Sequence, residues 1–473
     1  MTKKFATTNK QGRRSSCALF ALVGVLLSFG SNPALAAKPL TAAQVQVYES
    51  ANEGQRVHFL IERAQMGQIE LVQTLMQNYP LQGPHAKNRT LYIEGLILES
   101  QGDLTGAAEK YRAALANDPS LTLVRNQLAK TLATLGQDDS AKHHLQLLEA
   151  EAPNSEIADG IRAFIDRIDS KRPVTFSGFV SIAPSTNMNS GSSHTQVYSA
   201  NPAFGGSGGY LDINAANQEQ SGIGLVSGAS IGYAKRLGNH WQAVLAGDVT
   251  AQIYADKKFD AVSLSQSAEM RYHHNNGYMG FGGVADQAIN PNAANLIDDG
   301  LTYHSYGPRV SAMQYFGAHD VLHASAVYEW RDYTNSTSLD GTAFLADASF
   351  NHGFNSTFNV TVSGGYNKVS SALDFISYDT YYAGLGFYKE LPKGITVNAN
   401  AQARFSTFDA MHPVFFETRE DQRYIGSVAL TKRDLNFMGF APSLAYTYTR
   451  NVSNIAAYDY DAHAVDFRLT KDF

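Results

Sequence analysis

The sequence predicts a multidomain α and β protein, in which an N-terminal α-helical repeat solenoid is followed by a 14-stranded antiparallel transmembrane β-barrel. Three observations support this fold class: a helix-favouring region with a 34-residue period, an abrupt change of composition near residue 173, and later segments that alternate apolar with polar residues. The 473 residues include 25 Tyr, 25 Phe and 39 Gly, while only 17% are charged. This composition is typical of short strands that carry aromatic girdles.

Residues 1–36 have the pattern of a cleavable export signal. A basic segment is followed by an apolar run from Cys17 to Phe29 and by the small-x-small site Ala34-Leu35-Ala36. The Arg13-Arg14 pair also permits a twin-arginine signal, although its flanking residues match that pattern poorly. Because Cys17 is the single cysteine, cleavage leaves a mature chain without thiols, which suits passage through an oxidising periplasm.

Residues 37–172 are predicted to form the helical repeat domain. Identical residue types recur 34 positions apart at Leu98 and Leu132, Gly102 and Gly136, Ala107 and Ala141, and Pro119 and Pro153. This is the tetratricopeptide period, and residues 91–120 resemble such a repeat, with a Gly-Asp turn between two helices and a proline after the second. We expect about two and a half repeats with cap helices, which is near the minimum for a stable stack.

A stack of such repeats has a concave face that usually takes an extended segment of a partner protein. By repeat position, the residues predicted to point into this groove and bind substrate are Arg89, Tyr92, Glu99, Asn126 and Lys130. The alternative is that each is an ordinary solvated helix residue.

Residues 173–473 are predicted to form the barrel. Apolar residues alternate with polar or small residues in about fourteen segments, of which residues 241–253 and 395–405 are the clearest. Polar residues toward a water-filled lumen and apolar residues toward lipid are what an outer-membrane barrel requires. Short and long connections alternate along the chain, and the longest is Ser185 to Gln220. This order predicts short periplasmic turns, longer external loops, and both ends of the barrel in the periplasm.

The end of the chain resembles the signal that the barrel-assembly machinery reads. Phe467 and Leu469 alternate with polar residues before the terminal Phe473. The expected partners are therefore the barrel-assembly machinery, periplasmic chaperones and outer-membrane lipid. The net charge is only −6 and no basic stretch follows the N-terminus, so no nucleic-acid partner is predicted.

The sequence predicts no enzyme: no catalytic residues, no cofactor and no metal site. Residues 205–209 match a serine-hydrolase elbow literally, but they lie in the long first loop rather than between a strand and a helix. The pairs His143-His144 and His273-His274 lack the spacing of metal ligands.

Two segments of the barrel are similar to a known family. Residues 179–189, FVSIAPSTNMN, and residues 449–460, TRNVSNIAAYDY, with the strand that runs on to Phe473, resemble the surface lipoprotein assembly modulator (Slam) proteins. The resemblance implies an outer-membrane translocon in a Gram-negative bacterium, with its N-terminal domain in the periplasm. It also implies a cargo partner, either an exported lipoprotein or a soluble haem- or metal-acquisition protein.

Three alternatives remain open from the sequence. A passive porin explains the barrel but gives the repeat domain no role. An exopolysaccharide exporter also joins such repeats to a barrel, although usually with many more repeats. An adhesive surface protein would concentrate its information in large external loops, and only the first loop is large.

Overall fold

The structure is a computed structural model, and it shows eight helices followed by a closed 14-stranded antiparallel barrel among the residues that it describes. The predicted signal peptide, residues 1–36, and the terminal Phe473 lie outside those residues. The described residues are 42–171, 173–204, 208–274, 276–289, 303–334, 337–433, 435 and 440–470.

The helical domain consists of α1 to α8 and has its own apolar core. The helices are α1 Ala42–Ser50, α2 Glu53–Gln65, α3 Ile69–Asn78, α4 Ala86–Ser100, α5 Leu104–Asn117, α6 Thr122–Leu135, α7 Asp138–Glu149 and α8 Ser155–Lys171. Gly102 and Gly136 end α4 and α6 with positive φ angles of 86° and 79°, a conformation that glycine adopts without strain. The 34-residue period therefore marks equivalent turns. None of the described helices is long and apolar enough to cross a bilayer.

Fourteen strands close the barrel, as the sequence predicted. They are β1 Val174–Ser185, β4 Gly222–Leu237, β5 Trp241–Tyr254, β6 Ala261–His274, β7 Gly277–Ile289, β8 Tyr303–Phe316, β9 Asp320–Tyr333, β10 Gly341–Asn355, β11 Phe358–Ser371, β12 Tyr378–Leu391, β13 Ile395–Met411, β14 Thr418–Lys432, β15 Ala441–Ser453 and β16 Tyr460–Thr470. Two short strands, β2 Gln196–Ser199 and β3 Gly209–Asp212, form a hairpin in the first long loop.

The two ends of the barrel differ in the length of their connections. Turns of two or three residues, such as 238–240, 317–319 and 392–394, lie at the end that also receives α8, and we call this the turn end. Connections of six residues or more, led by residues 186–221, lie at the opposite or loop end, and the β14–β15 connection, residues 433–440, is the one of similar length at the turn end. The helical domain and the start of β1 therefore share one side of the barrel.

Apolar side chains cover the outside of the barrel. Leu245 and Ile253 of β5 are 51% and 52% exposed, whereas the alternate residue Asp248 lines a cavity inside. Since leucine and isoleucine gain by leaving water, this outer wall requires lipid around it. The two tryptophans of the chain mark its edges, because Trp241 opens β5 at the turn end and Trp330 lies near the loop end of β9.

The barrel closes between its first and last strands. Phe467 and Leu469 of β16 pair with Ile182 and Val180 of β1 in antiparallel register. Both are more than half exposed on the outer wall. The structure thus places two of the three predicted assembly-signal residues on the lipid face of the closing strand.

Candidate functional site at the junction of helices and barrel

The helical domain is seated on the turn end of the barrel. Among the residues that the structure describes, it contacts the rim in three sectors, at β4, at the β8–β9 turn and at β12–β14. In the ring of strands, these sectors are separated by three or four strand positions. The domain therefore bridges the barrel mouth instead of hanging from a linker at one point.

Helix α8 contacts both of the first two sectors, and in the second it is joined by Ala150, just after α7, whose carbonyl lies 2.9 Å from the His319 ring nitrogen. Near its C-terminal end, Asp166 forms an ion pair of 2.7 Å with Arg236 at the end of β4. Nearer its start, the guanidinium of Arg162 stacks on the Tyr315 ring at 3.6 Å from the centroid, and Arg162 also donates a hydrogen bond of 3.1 Å to the Gly317 carbonyl. This helix extends from the β8–β9 turn to the side of the mouth where β1 begins.

The third sector is a buried ionic cluster, which we call the rim cluster: Arg125, Glu390, Arg433, Tyr388 and His143. Glu390, at the turn end of β12, accepts from Arg125 of α6 and, at 3.1 Å, from Arg433 of the barrel. The Tyr388 hydroxyl donates to Glu390 at 2.8 Å and lies 3.2 Å from the His143 ring nitrogen. The side chains of Arg125 and Glu390 are 0% and 8% exposed, so this ion pair is shielded from water.

Burial keeps the two histidines of α7 neutral. Desolvation lowers the pKa of His143 to about 4, with help from the positive charge of Arg433 and against the hydrogen bond to Glu390. The pKa of His144 is held well below its ordinary value by burial and by Arg125, whose Nη1 lies 3.3 Å from the His144 ring. At neutral pH the cluster therefore consists of two guanidinium groups around one carboxylate.

A cavity of about 780 Å³ separates the helices from the inner wall of the barrel. Both walls carry polar groups beside apolar residues such as Ile165 and Ala246. The polar residues are Lys142, His143, Gln146 and Asp169 from α7 and α8, opposite Thr175, Ser177, Ser230, Asp248 and Asn398 from the strands. A chamber of this size and polarity can hold a hydrated, extended stretch of polypeptide. Among the described residues, no group of three or more His, Cys, Asp or Glu is placed to hold a metal ion.

The structure brings only some of the predicted groove residues together. Glu99 accepts hydrogen bonds from the Tyr111 hydroxyl at 2.8 Å and from Gln127 at 2.7 Å, and its charge partly offsets the burial that lowers the pKa of Lys130. Arg89 instead lies 3.8 Å from Glu53 of α2. Asn126 is half-buried.

Tyr92 departs from the predicted position. It is only 5% exposed and packs against Tyr111 with ring centroids 5.8 Å apart. Gly95, one turn further along α4, has no side chain, so the Tyr111 ring of α5 lies directly on the helix and covers Tyr92. Its side chain belongs to the core and does not lie on an open groove surface.

Sequence reasoning missed the rim cluster. Arg125 and Glu390 are 265 positions apart, and no local period links a helix residue to a strand end. The His143-His144 pair lacks the spacing of metal ligands, and nothing else in the sequence assigns it a role. One signal in the sequence is the acidic Glu390, which lies at the turn end of β12. The structure buries this charge, which is costly unless a partner neutralises it.

Known families and proteins are similar to this chain over both domains. The family model described as "Surface lipoprotein assembly modifier" matches residues 175–473, and the one described as "Surface lipoprotein assembly modifier, N-terminal TPR repeats" matches residues 49–145. The "Hemophilin secretion modulator" of Acinetobacter baumannii is 23% identical over 406 residues, or 81% of this chain and 79% of that protein. The "Surface lipoprotein assembly modifier" of Pasteurella multocida (strain Pm70) is 20% identical over 405 residues, or 81% and 76%. Among solved structures, the outer membrane channel DcaP of Acinetobacter baumannii aligns with a TM-score of 0.35 at 8% identity, over 63% of this chain and 96% of that chain.

Proposed function

Because the chain belongs to the surface lipoprotein assembly modifier family, we propose that this outer-membrane barrel is a translocon. It delivers a lipoprotein or a soluble haem- or metal-acquisition protein from the periplasm to the cell surface. The names of two relatives support this cargo class, since one is a hemophilin secretion modulator and another a surface lipoprotein assembly modifier. The proposal requires transport and no covalent chemistry.

The observation that carries the proposal is the seat of the helical domain on the barrel mouth. Its contacts in three rim sectors leave a polar cavity between α7, α8 and the inner wall. A passive pore has no need of a folded domain across its entrance, whereas a transporter of polypeptide gains a receiving surface next to its channel. Residues 1–36 would be removed on export, and the turn end with the helices would lie in the periplasm.

Within this proposal, the helical domain receives the cargo or its chaperone. Arg89, Glu99, Asn126 and Lys130 are the candidate groove contacts, and Tyr92 supports the groove from the core. Phe467, Leu469 and Phe473 are the candidate signal for the barrel-assembly machinery. Chaperones would keep the chain unfolded until the barrel inserts into outer-membrane lipid.

The test is the surface proteome of a deletion strain. Peptides released by protease shaving, together with proteins in the medium, are compared between the wild type, the deletion and the deletion complemented with the full chain. We expect one or a few β-rich exported proteins to leave the surface in the deletion, to accumulate in the periplasm, and to return on complementation.

A different pattern would point to another class of protein. If the exported proteome is unchanged while uptake of small solutes falls, the chain is a porin. If instead surface glycan is lost, it is a polysaccharide exporter. A complementing chain truncated before Val174 but carrying the signal peptide separates the roles of the two domains, because a porin would keep its activity without the helices.

A further inference from the structure

We propose that the rim cluster is a latch, and that the helical domain turns about α8 to uncover the barrel mouth on the β12–β14 side. Opening separates Arg125 from Glu390 and leaves the contacts of α8 in place. The latch itself rests on the contacts at the junction. Only its effect on export rests on the proposed function.

The contacts between the helical domain and the barrel rim define a rotation axis along α8 and a second attachment at a distance from that axis. Asp166 with Arg236, and Arg162 with Tyr315, fix α8 to two sectors of the rim that lie four strand positions apart. Helix α8 ends at Lys171 and β1 begins at Val174, so the covalent link also lies on this line. A domain held along one line turns about it, and the contacts distant from the line break first.

The attachment away from the axis is small. Among the described residues, its hydrogen bonds and ion pairs are those of the rim cluster and one backbone hydrogen bond from Lys393 in the β12–β13 turn to the carbonyl of Ala116 at the end of α5. Leu115 and Leu128 of the helices also line a shared pocket with Leu391 and Ile395 of the barrel. These contacts come from α5, α6 and α7, on the side of the domain away from α8. The helical core lies entirely within α1 to α8, so a tilt leaves that core intact.

The chemistry of the cluster suits repeated opening. A buried ion pair gives little net stability, because desolvation offsets most of the attraction, but it fixes one geometry. After separation, Glu390 keeps Arg433 and the Tyr388 hydroxyl, and Arg125 keeps the Pro119 carbonyl at 2.6 Å. Neither side is left with an unpaired buried charge, and the buried Nε of Arg125, which has no hydrogen-bond partner when docked, gains water. The docked state is therefore specific but only weakly held.

The first test is a pair of disulfide staples in the full chain. The mature protein has no native cysteine if residues 1–36 are removed, so introduced cysteines pair only with each other. Ala116→Cys with Lys393→Cys joins the latch side, where the backbones already touch, and Asp166→Cys with Arg236→Cys joins the axis. Staple formation is read from a gel shift that a reductant reverses.

Under oxidising conditions, the latch staple should lower the export of the proteins identified in the deletion test severalfold or more. A reductant should restore their export. The axis staple should leave export near the wild-type level. Normal export through a fully formed latch staple, or an equal block by both staples, overturns the proposal.

The second test needs no cargo and so separates the latch from the proposed function. The full chain is placed in planar lipid bilayers, and its ionic conductance is measured. Arg125→Met removes only the helical half of the ion pair, and Glu390→Gln removes its centre, so both should raise the mean conductance severalfold over the wild type. Asp166→Asn, on the axis, is the matched control and should change conductance little.

Heat-dependent gel migration shows whether the Arg125→Met variant is folded. If the folded variant has the same conductance as the wild type, the cluster is not a latch. A raised conductance without any defect of export in the deletion strain would keep the latch and reject the translocon. An unchanged conductance together with a defect of export in the deletion strain would support the translocon and reject the latch.

Discussion

Leucine has opposite environments in the two domains. Leu128 of α6 is completely buried in the helical core, whereas Leu245 of β5 is 51% exposed on the barrel wall. The first is stabilised by its protein neighbours and the second by lipid, although both follow the same hydrophobic effect. Burial within the chain therefore measures stability only for the helical domain. The barrel keeps its polar residues inside and depends on the membrane to complete it.

The largest expected effect is the loss of a core side chain from the helical domain. Leu128→Ala should lower the free energy of unfolding of that domain by about 2–5 kcal/mol, through lost transfer energy and a cavity. Urea denaturation of the full chain in detergent, followed by helical circular dichroism, measures it. Leu245→Ala is the matched barrel variant, and its helical transition should not move. A shift of equal size for both would mean that the domains unfold as one unit.

A charge on the outer wall should have the next largest effect, this time on the barrel. Leu245→Lys places an ammonium group near the middle of β5 against lipid, at an expected loss of about 2–4 kcal/mol. Thr250→Lys, on the alternate face of the same strand, points into the lumen and should be tolerated. Unfolding from lipid vesicles, read by heat-dependent gel migration, compares the two. Equal sensitivity at both positions would contradict the assigned faces.

One glycine change should have opposite signs at two sites of the helical domain. Gly102→Ala should destabilise the domain by about 1–2 kcal/mol, because φ is 86° there and no atom obstructs the new methyl group, so backbone strain alone acts. Gly160→Ala, on exposed helical backbone of α8, should stabilise it by up to about 1 kcal/mol. Thermal unfolding of both variants tests this. Two shifts of the same sign would show that φ is not the controlling factor.

The smallest expected effect is the pH dependence of docking between the helical domain and the barrel. It should be absent at neutral pH and appear only in acid. Burial lowers the pKa of both His143 and His144. The contribution of His143 is therefore complete above pH 6.5 and is lost as pH falls toward its folded pKa of about 4, and that of His144 is lost in the same direction. In this window the undocked histidines bind protons that the docked ones exclude. Protease sensitivity of the junction should therefore rise between pH 7 and pH 5. His143→Gln with His144→Gln should flatten this response, and an unaltered response would assign it to other groups.

Much of the fold could be predicted because its signals are local. The 34-residue period located equivalent helix turns, the alternation of residues 241–253 located β5, and the strand count of fourteen is confirmed. The family was also predicted correctly from two barrel segments. The substrate-binding groove residues and the domain boundaries stay predictions, since the domain junction near residue 172 was read from composition.

The site could not be predicted in the same way. The ion pair of Arg125 and Glu390 joins an α-helix to a strand end across two domains, and only the three-dimensional arrangement brings them together. Tyr92 could not be placed correctly either, because repeat position alone does not reveal that Tyr111 covers it. Periodicity assigns a residue to a face, but the neighbouring helix decides whether that face is open.

Transport of protein through this barrel is tested most directly by site-specific photo-crosslinking during export. A photoreactive amino acid is introduced at Asn398, whose side chain lines the cavity, or at its neighbour Val397 on the alternate, lipid-facing side of β13. We expect a crosslink to an exported protein from position 398 and none from position 397. Continued export with crosslinks only from position 397, or from neither position, would contradict passage through the lumen.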